Sequence, residues 1–307
     1  IGGSELGPKA LYLALEAYKI PGKRVEFIGN IDPDDTVKVL RSCDLKKTLV
    51  CVISKSGTTQ ETCVNEQFAR SLFEKEGLSP KDHFLAVTGE GSPLDDLKKY
   101  RSVFHIWDWI GGRYSASSII GGVIIGFSCG IGVYWELLEG AHAMDQHALK
   151  EKKPLHNLPL VAALLGIWNH NFLNIQTTAI IPYSQALWRF TAHLQQLDME
   201  SNGKQVDRSG RFLDFKTGPI IWGEAGTNAQ HSFFQLIHQG TLPIAIEFIG
   251  YEKCQTGVDF VWEDTTSQQK LLANLFAQAT ALAQGQQSDN PNKRFFGNRP
   301  SSILLGY

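Results

Sequence analysis

Through the first third of the chain, short apolar runs alternate with stretches whose apolar positions recur every three or four residues. Arg24–Gly29, Leu49–Ile53, His83–Thr88 and Val103–Trp107 read as strands, and Pro8–Tyr18, Pro33–Cys43, Thr59–Lys75 and Pro93–Tyr100 as amphipathic helices. Strand and helix in alternation at this spacing predict a parallel sheet wrapped by helices, whose short apolar strands are covered on both faces. The second part is more helical. Asn157–Leu173 is apolar and long enough for a core helix, Gln268–Ala283 is another, and Pro219–Trp222 and Leu242–Phe248 between them read as strands. The polar segment Gly285–Ser302, rich in Asn and Pro, reads as a surface loop. The expected fold class is α/β, with parallel-rich sheets flanked by helices.

A chain of 307 residues exceeds the size at which single cores stop growing, about 250–300 residues, so two domains are expected. The boundary falls between Gly112 and Gly132, giving a smaller domain over 1–120 and part of a larger one over 121–307. One stretch imitates a membrane span: Ser115 to Trp135 carries no charge and would be long enough. Its five glycines and several serines lower its hydrophobicity, and the reading is a closely packed helix pair in a core, with no membrane partner.

Hydrophobic content of 43% and charge content of 20% place the chain among globular proteins. A net charge of −2 lacks the basic field of a general nucleic-acid binder, so no nucleic-acid partner is expected. Cys43, Cys51, Cys63, Cys129 and Cys254 form no C-x-x-C pair and are odd in number, which fits reduced thiols in a cytoplasmic protein. No recognisable targeting signal opens the chain.

The chemistry starts at "SKSGTTQET", Ser54 to Thr62, where five hydroxyl side chains and a lysine fall in nine positions between a strand and a helix. Ligands of open parallel sheets bind beyond the carboxyl ends of the strands. A helix N-terminus there offers free N–H groups and the positive end of the dipole to an anion. Serine and threonine hydroxyls can donate to phosphate, Gly57 permits close backbone approach, and Lys55 adds charge. The Walker pattern is absent, so a nucleoside triphosphate is not indicated. The same residues also serve as ordinary N-caps and turns. A weaker version, Gly2-Gly3-Ser4, opens the chain.

Three further segments carry candidate groups. In "LWRFTAHLQQLDMESNGK" an amphipathic helix stops at Asn202-Gly203, leaving Asp198 and Glu200 at the negative end of the dipole. A carboxylate so placed has its pKa pushed up toward that of a general base; a fraying helix end with solvated acids is the ordinary outcome. In "GEAGTNAQHSFFQLIHQGT", Thr227 and Gln230 have capping-box spacing, which predicts His231 in a helix's first turn, where neutral imidazole is favoured. His238, near the other end, reads as structural. "DWIGGRYSASS" places Arg113 after a Gly-Gly turn, as a partner for an oxyanion or as a surface arginine. No His/Cys/Asp grouping has metal-ligand spacing, so no metal site is indicated.

"IGGSELGP", "SKSGTTQET", "GGRYS", "QLDMESNGK", "GEAGTNAQHSFFQLIHQGT" and "GNRPSS" occur in the order seen in the phosphoglucose isomerase family, which the chain resembles from end to end. The resemblance implies a small SIS-type sugar-phosphate domain and a larger α/β domain. It implies reversible isomerisation of glucose 6-phosphate and fructose 6-phosphate through a cis-enediolate, in glycolysis and gluconeogenesis, without cofactor. By matching motif, Ser4, Ser54, Lys55, Ser56 and Thr59 would hold the phosphate, with Gly3 and Gly112 beside the substrate. Glu200 would be the base, Arg113 would stabilise the enediolate, and His231 would assist ring opening from the other subunit of a homodimer. A non-catalytic SIS-type regulator and a dual phosphoglucose/phosphomannose isomerase are the competing expectations. The family has further sequence before Gly-Gly-Ser and a C-terminal D-Q-x-G-V-E-x-x-K pattern with an active-site lysine. Neither occurs here, so the chain is expected to be a piece of a longer protein with little activity of its own. Ala225 for the family's frequent Pro and Ser56 for Thr are mild departures.

Overall fold

The computed structural model describes residues 4–307, in two compact units, Ile1–Gly140 and Ala141–Tyr307. The α/β expectation holds: each unit has a parallel sheet with helices packed on it. The division lies inside the helix Ile131–Lys150, and the uncharged stretch after Ser118 packs back onto the first unit.

The first unit opens with α1 (Leu6–Ala14) and α2 (Pro33–Arg41), followed by β1 (Val50–Ser54), α3 (Gln60–Lys75), the single turn α4 (Pro80–His83), β2 (Phe84–Thr88) and β3 (Ser102–His105). The strands run parallel in the order β1-β2-β3, with Val50 beside Phe84 and Ala86 beside Val103. Side chains alternate across the sheet as a period of two requires. Val52, Phe84 and Ala86 face Ala69, Phe73 and Leu40 of α3 and α2, while Val87 faces Tyr12, Ile120 and Ile124 on the other side. The start of α2 follows from its sequence: Asp32 accepts from the Asp34 amide at 3.0 Å, Pro33 fills the first turn, and Lys38 and Arg41 end it.

Two expected elements of this unit do not form. Arg24–Gly29 is extended but belongs to no strand. A cavity of about 720 Å³ lined by Val25, Phe27, Ile28, Val50 and Val52 separates it from β1, and its Val25 amide donates to the Tyr12 hydroxyl instead. Pro93–Tyr100 is a chain of turns, because Ser92, Asp95 and Asp96 take backbone N–H groups locally with their side chains.

The uncharged stretch forms α5 (Ile119–Ser128) and the start of α6 (Ile131–Lys150), broken at Gly130, whose φ is +98°. Gly122 faces the Tyr134 ring, so the expected helix pair does meet at a glycine. Among the described residues no helix is long and apolar enough to cross a membrane.

The second unit contains α7 (Leu158–Ile167), β4 (Thr177–Pro182), α8 (Phe190–Leu194), β5 (Ile220–Trp222), α9 (Phe234–Gln239), β6 (Ala245–Tyr251), a hairpin of β7 (Val261–Trp262) and β8 (Thr265–Thr266), α10 (Ser267–Gln284) and β9 (Ser301–Gly306). Its sheet runs β5-β4-β6-β9, all parallel. Ile181, Phe248, Leu275 and Leu282 pack on one face, and Ile180, Ile221 and Ile249 meet Leu187, Phe190 and Leu194 on the other. The α10 start is a full capping box between Thr266 and Gln269. β4 and β9 were not foreseen, and Asn157–Leu173 is not a core helix: α7 buries none of its residues. Its apolarity runs all round the helix, so its sequence pattern singles out no packing face.

Candidate active site

In the first unit, β1 delivers the hydroxyl loop to the carboxyl edge of its sheet. Ser54 is buried, and its Oγ lies 2.9 Å from Thr59 Oγ1 and accepts from the Gly57 amide at 3.2 Å. Gly57 has φ +69°, and a Cβ there would meet Pro93 and Ser92 at 3.0 Å, so both conformation and space require glycine. Ser56 Oγ accepts from the amide and hydroxyl of Thr58, and both residues face solvent. Thr59 is the N-cap of α3 but makes no side-chain cap. Its hydroxyl is turned to Ser54, which leaves the first-turn N–H groups of a helix of 16 residues without a side-chain acceptor. This is the local arrangement that accepts an anion.

Two residues that sequence reasoning missed brace the loop from β2. Thr88 Oγ1 donates to the Ser54 carbonyl at 2.7 Å and lies 2.6 Å from Ser92 Oγ. Their signal was present: they follow the carboxyl end of the neighbouring parallel strand, where ligand loops gather.

Lys55 turns its ammonium to the carbonyls of Asp108 and Ile110, the latter at 3.2 Å. That turn leads into a 3-10 helix, Gly112–Ser117, which carries Arg113. Ser115 Oγ donates to the Ser4 carbonyl at 3.0 Å. The structure thus joins the Ser4, Lys55 and Arg113 segments through hydrogen bonds within one unit. Gly3, like Gly2, lies outside the described residues. Gly112 is the first residue of the 3-10 helix, partly exposed.

In the second unit, α8 passes into a π-helical turn, Gln195–Glu200. Such turns are often found at functional sites. Its position is set by β5, an edge strand. Gln195 Nε2 donates to the Ile221 carbonyl at 2.9 Å, and the Ile221 amide donates to Met199 Sδ at 3.4 Å. Two side chains thereby occupy hydrogen-bonding positions on the strand's outer edge. Glu200 is exposed, and Lys204 Nζ donates to its carbonyl at 2.7 Å. Asp198 Oδ1 instead accepts from Asn202 Nδ2 at 2.7 Å.

His231 departs from the expected placement. It ends a short 3-10 turn, Ala229–His231, and α9 begins only at Phe234, so His231 precedes the helix rather than occupying its first turn. The expected capping box is replaced because Gln230 reaches Tyr183, its Nε2 donating to the hydroxyl at 2.6 Å. His231 is exposed. His238 Nε2 lies 2.8 Å from Gln278 Oε1 and packs against Phe234 and Phe295, a structural role as expected.

Three buried polar atoms in the helical segment that leads to Glu200 find no partner among the described residues: Thr191 Oγ1, His193 Nδ1 and Gln196 Oε1. Burial lowers the His193 pKa below its usual 6.5. No group of three or more His, Cys, Asp or Glu among the described residues is placed to hold a metal ion.

The fold and the loop define an α/β protein whose parallel sheet presents an anion-accepting helix N-terminus at its carboxyl edge. The particular family follows from comparison with known proteins. The phosphoglucose isomerase model matches residues 1–306, and the chain belongs to that family. Glucose-6-phosphate isomerase of Protochlamydia amoebophila is 58% identical over 306 residues, covering 99% of this chain and 57% of the relative. That of Chlamydia pneumoniae is 59% identical over 305 residues, covering 99% and 58%. A crystal structure of a glucose-6-phosphate isomerase from Chlamydia trachomatis superposes with a TM-score of 0.97 at 55% identity, over 99% of this chain and 59% of that one. The chain therefore spans little more than half the length of these relatives.

Proposed function

We propose that this chain carries part of the machinery for reversible isomerisation of glucose 6-phosphate and fructose 6-phosphate. The observation that carries the reading is the hydroxyl loop: an N-terminus of α3 left without a side-chain cap, tied through Lys55 to the Arg113 segment. In a family member, that juxtaposition suits a phosphorylated sugar whose reacting carbons lie near an arginine.

The substrate phosphate is held by Ser56, Thr59 and the α3 amides, in a loop that Ser54 braces, and by the segment at Ser4. Glu200 removes the C2 proton of the open-chain aldose, leaving a cis-enediolate, and returns it at C1 while the O2 hydroxyl proton passes to O1. Arg113 stabilises the oxygen on which negative charge develops, and His231 assists ring opening. The last role places His231 at the substrate of a second subunit in a homodimer; its exposure on the described surface is compatible with that assignment. Glycolysis and gluconeogenesis in the cytoplasm are the setting that this activity implies.

The test is Glu200→Gln in the full-length protein, which preserves size and removes the base. Fructose 6-phosphate should still bind. Deuterium uptake from heavy water at C1 of fructose 6-phosphate should fall by roughly 10²–10⁴, as for loss of a general base. Uptake at the unaltered rate by a folded variant would move the base to another residue, with Asp198 next in line.

A further inference from the structure

Lys55 stands in the phosphate loop, yet its side chain is engaged elsewhere. An ammonium has three N–H donors, and two of them reach the carbonyls of Asp108 and Ile110, the latter at 3.2 Å. Its own carbonyl accepts from the Gly89 amide at 3.0 Å, and a Cβ on Gly89 would press on that oxygen at 2.8 Å. One residue therefore links the end of β1, the end of β2 and the turn that precedes Arg113.

That turn stands partly clear of the core. Ile106 and Ile110 are buried, but Trp107 and Trp109, stacked with centroids 5.1 Å apart, stand 65% and 73% exposed. Beyond them come Gly111 and Gly112, and a Cβ on Gly111 would meet nothing within 4 Å. Two successive glycines resist a fixed conformation more than any other pair. The 3-10 helix that carries the arginine is anchored beyond it by Ser115, which is buried and donates to the Ser4 carbonyl at 3.0 Å, and Lys55 grips the carbonyls before it.

We propose that Lys55 is a positioning residue for Arg113, fixing the distance between the phosphate loop and the arginine that meets the developing oxyanion. The proposal rests on the isomerase reading above. It separates Lys55 from Ser56 and Thr59 nearby: they bind the phosphate, whereas Lys55 sets the geometry between phosphate and carbonyl carbon. A reacting group displaced by about 1 Å loses on the order of 10² in rate.

The experiment is a double-substitution cycle in the full-length protein with Lys55→Met, Arg113→Gln and the pair together. Turnover of fructose 6-phosphate is measured beside affinity for a hexitol 6-phosphate, which has the phosphate but no carbonyl. Lys55→Met should lower kcat on the order of 10²-fold while changing hexitol phosphate affinity by less than about threefold. The double variant should turn over no more slowly than Arg113→Gln alone, and amide exchange over 106–114 should quicken in Lys55→Met. Affinity falling in step with kcat would make Lys55 a direct phosphate ligand and overturn the proposal. So would a full Lys55→Met effect in the Arg113→Gln background. Unchanged turnover in Arg113→Gln itself would instead remove the role given to Arg113, and this inference with it. Lys55→Gln, which retains a donor, serves if Lys55→Met does not fold.

Discussion

Ser54 resembles a direct phosphate ligand in sequence, but its geometry gives it a different part, and Ser54→Ala tests which is right. Ser54 is only 3% exposed. Its Oγ makes two contacts, one to the Gly57 amide at 3.2 Å and one to Thr59 Oγ1 at 2.9 Å. A typical internal hydrogen bond contributes a net ~0.5–1.5 kcal/mol, so removing both should cost about 1–3 kcal/mol of stability. The lower half of that range is favoured, because the Gly57 amide retains a longer bond to the Ser54 carbonyl at 3.3 Å. The same loss releases Thr59, so phosphate affinity should fall by a similar free energy, roughly 5- to 150-fold. Thr59→Ala should cost affinity too, and the double variant should cost less than the sum, since the two hydroxyls share one contact. Urea unfolding gives the stability, and calorimetry with fructose 6-phosphate and with inorganic phosphate gives the affinity. A Ser54→Ala protein as stable as the parent but weakened in binding would refute the reasoning, because the hydroxyl would then be spending its bonds on the ligand.

Three other outcomes are expected. Tyr100 is fully buried and its hydroxyl donates to Glu66 at 2.6 Å, where Arg70 also donates at 2.7 Å; Tyr100→Phe should cost about 1.5–3 kcal/mol in urea unfolding, and an unchanged midpoint would show that Arg70 and Lys99, 3.7 Å from the same oxygen, satisfy the carboxylate without it. Burial holds the His193 pKa below 6.5, so the unfolded chain takes the proton first as pH falls: stability contributed by the neutral ring is complete above 6.5, declines below it, and levels off only below the folded pKa. His193→Gln should flatten that part of the stability-versus-pH curve, and an identical curve would place the titration elsewhere. Gln195→Ala should quicken exchange of amides in Gln195–Glu200 and lower kcat more than it raises KM for fructose 6-phosphate; a change in KM alone would separate Gln195 from the placement of Glu200.

How much of this could be read from the sequence depended on whether the cause was local. α2, α3 and α10 lie close to where periodicity puts them, and the side-chain caps that start α2 and α10 sit within one turn. The hydroxyl loop was legible for the same reason. Arg24–Gly29 has a strand's composition but no ladder, and pairing is a property of two segments, of which the sequence pattern shows one. Pro93–Tyr100 has helical spacing, yet Ser92, Asp95 and Asp96 prefer nearby amides, a competition that periodicity does not register. His231 was misplaced because Gln230 found Tyr183, 47 residues away, instead of capping its own helix. The Lys55 tether spans 53 and 55 residues, and nothing local announces it.

The acids at the end of "QLDMESNGK" show what a broken local rule can mean once its surroundings are known. Carboxylates near a helix C-terminus oppose the dipole, and a π turn is an uncommon way to wind a helix. Both features occur together over Gln195–Glu200, so tertiary contacts must favour the arrangement. Asn202 donates to Asp198, and Lys204 donates to the Glu200 carbonyl, placing a cation on a last-turn acceptor. Gln195 and Met199 then fasten the turn to Ile221, so an edge strand of the sheet, rather than a loop, sets where Glu200 stands. Of the two acids, Asp198 is engaged by Asn202 and lies close enough to Gly218 that a Cβ added there would stand 3.1 Å from Asp198 Oδ1. Glu200 is the more exposed of the two. A group that must collect a proton from one carbon and deliver it to the next needs a fixed backbone and an exposed position, and on exposure the proposed role of base goes to Glu200 before Asp198.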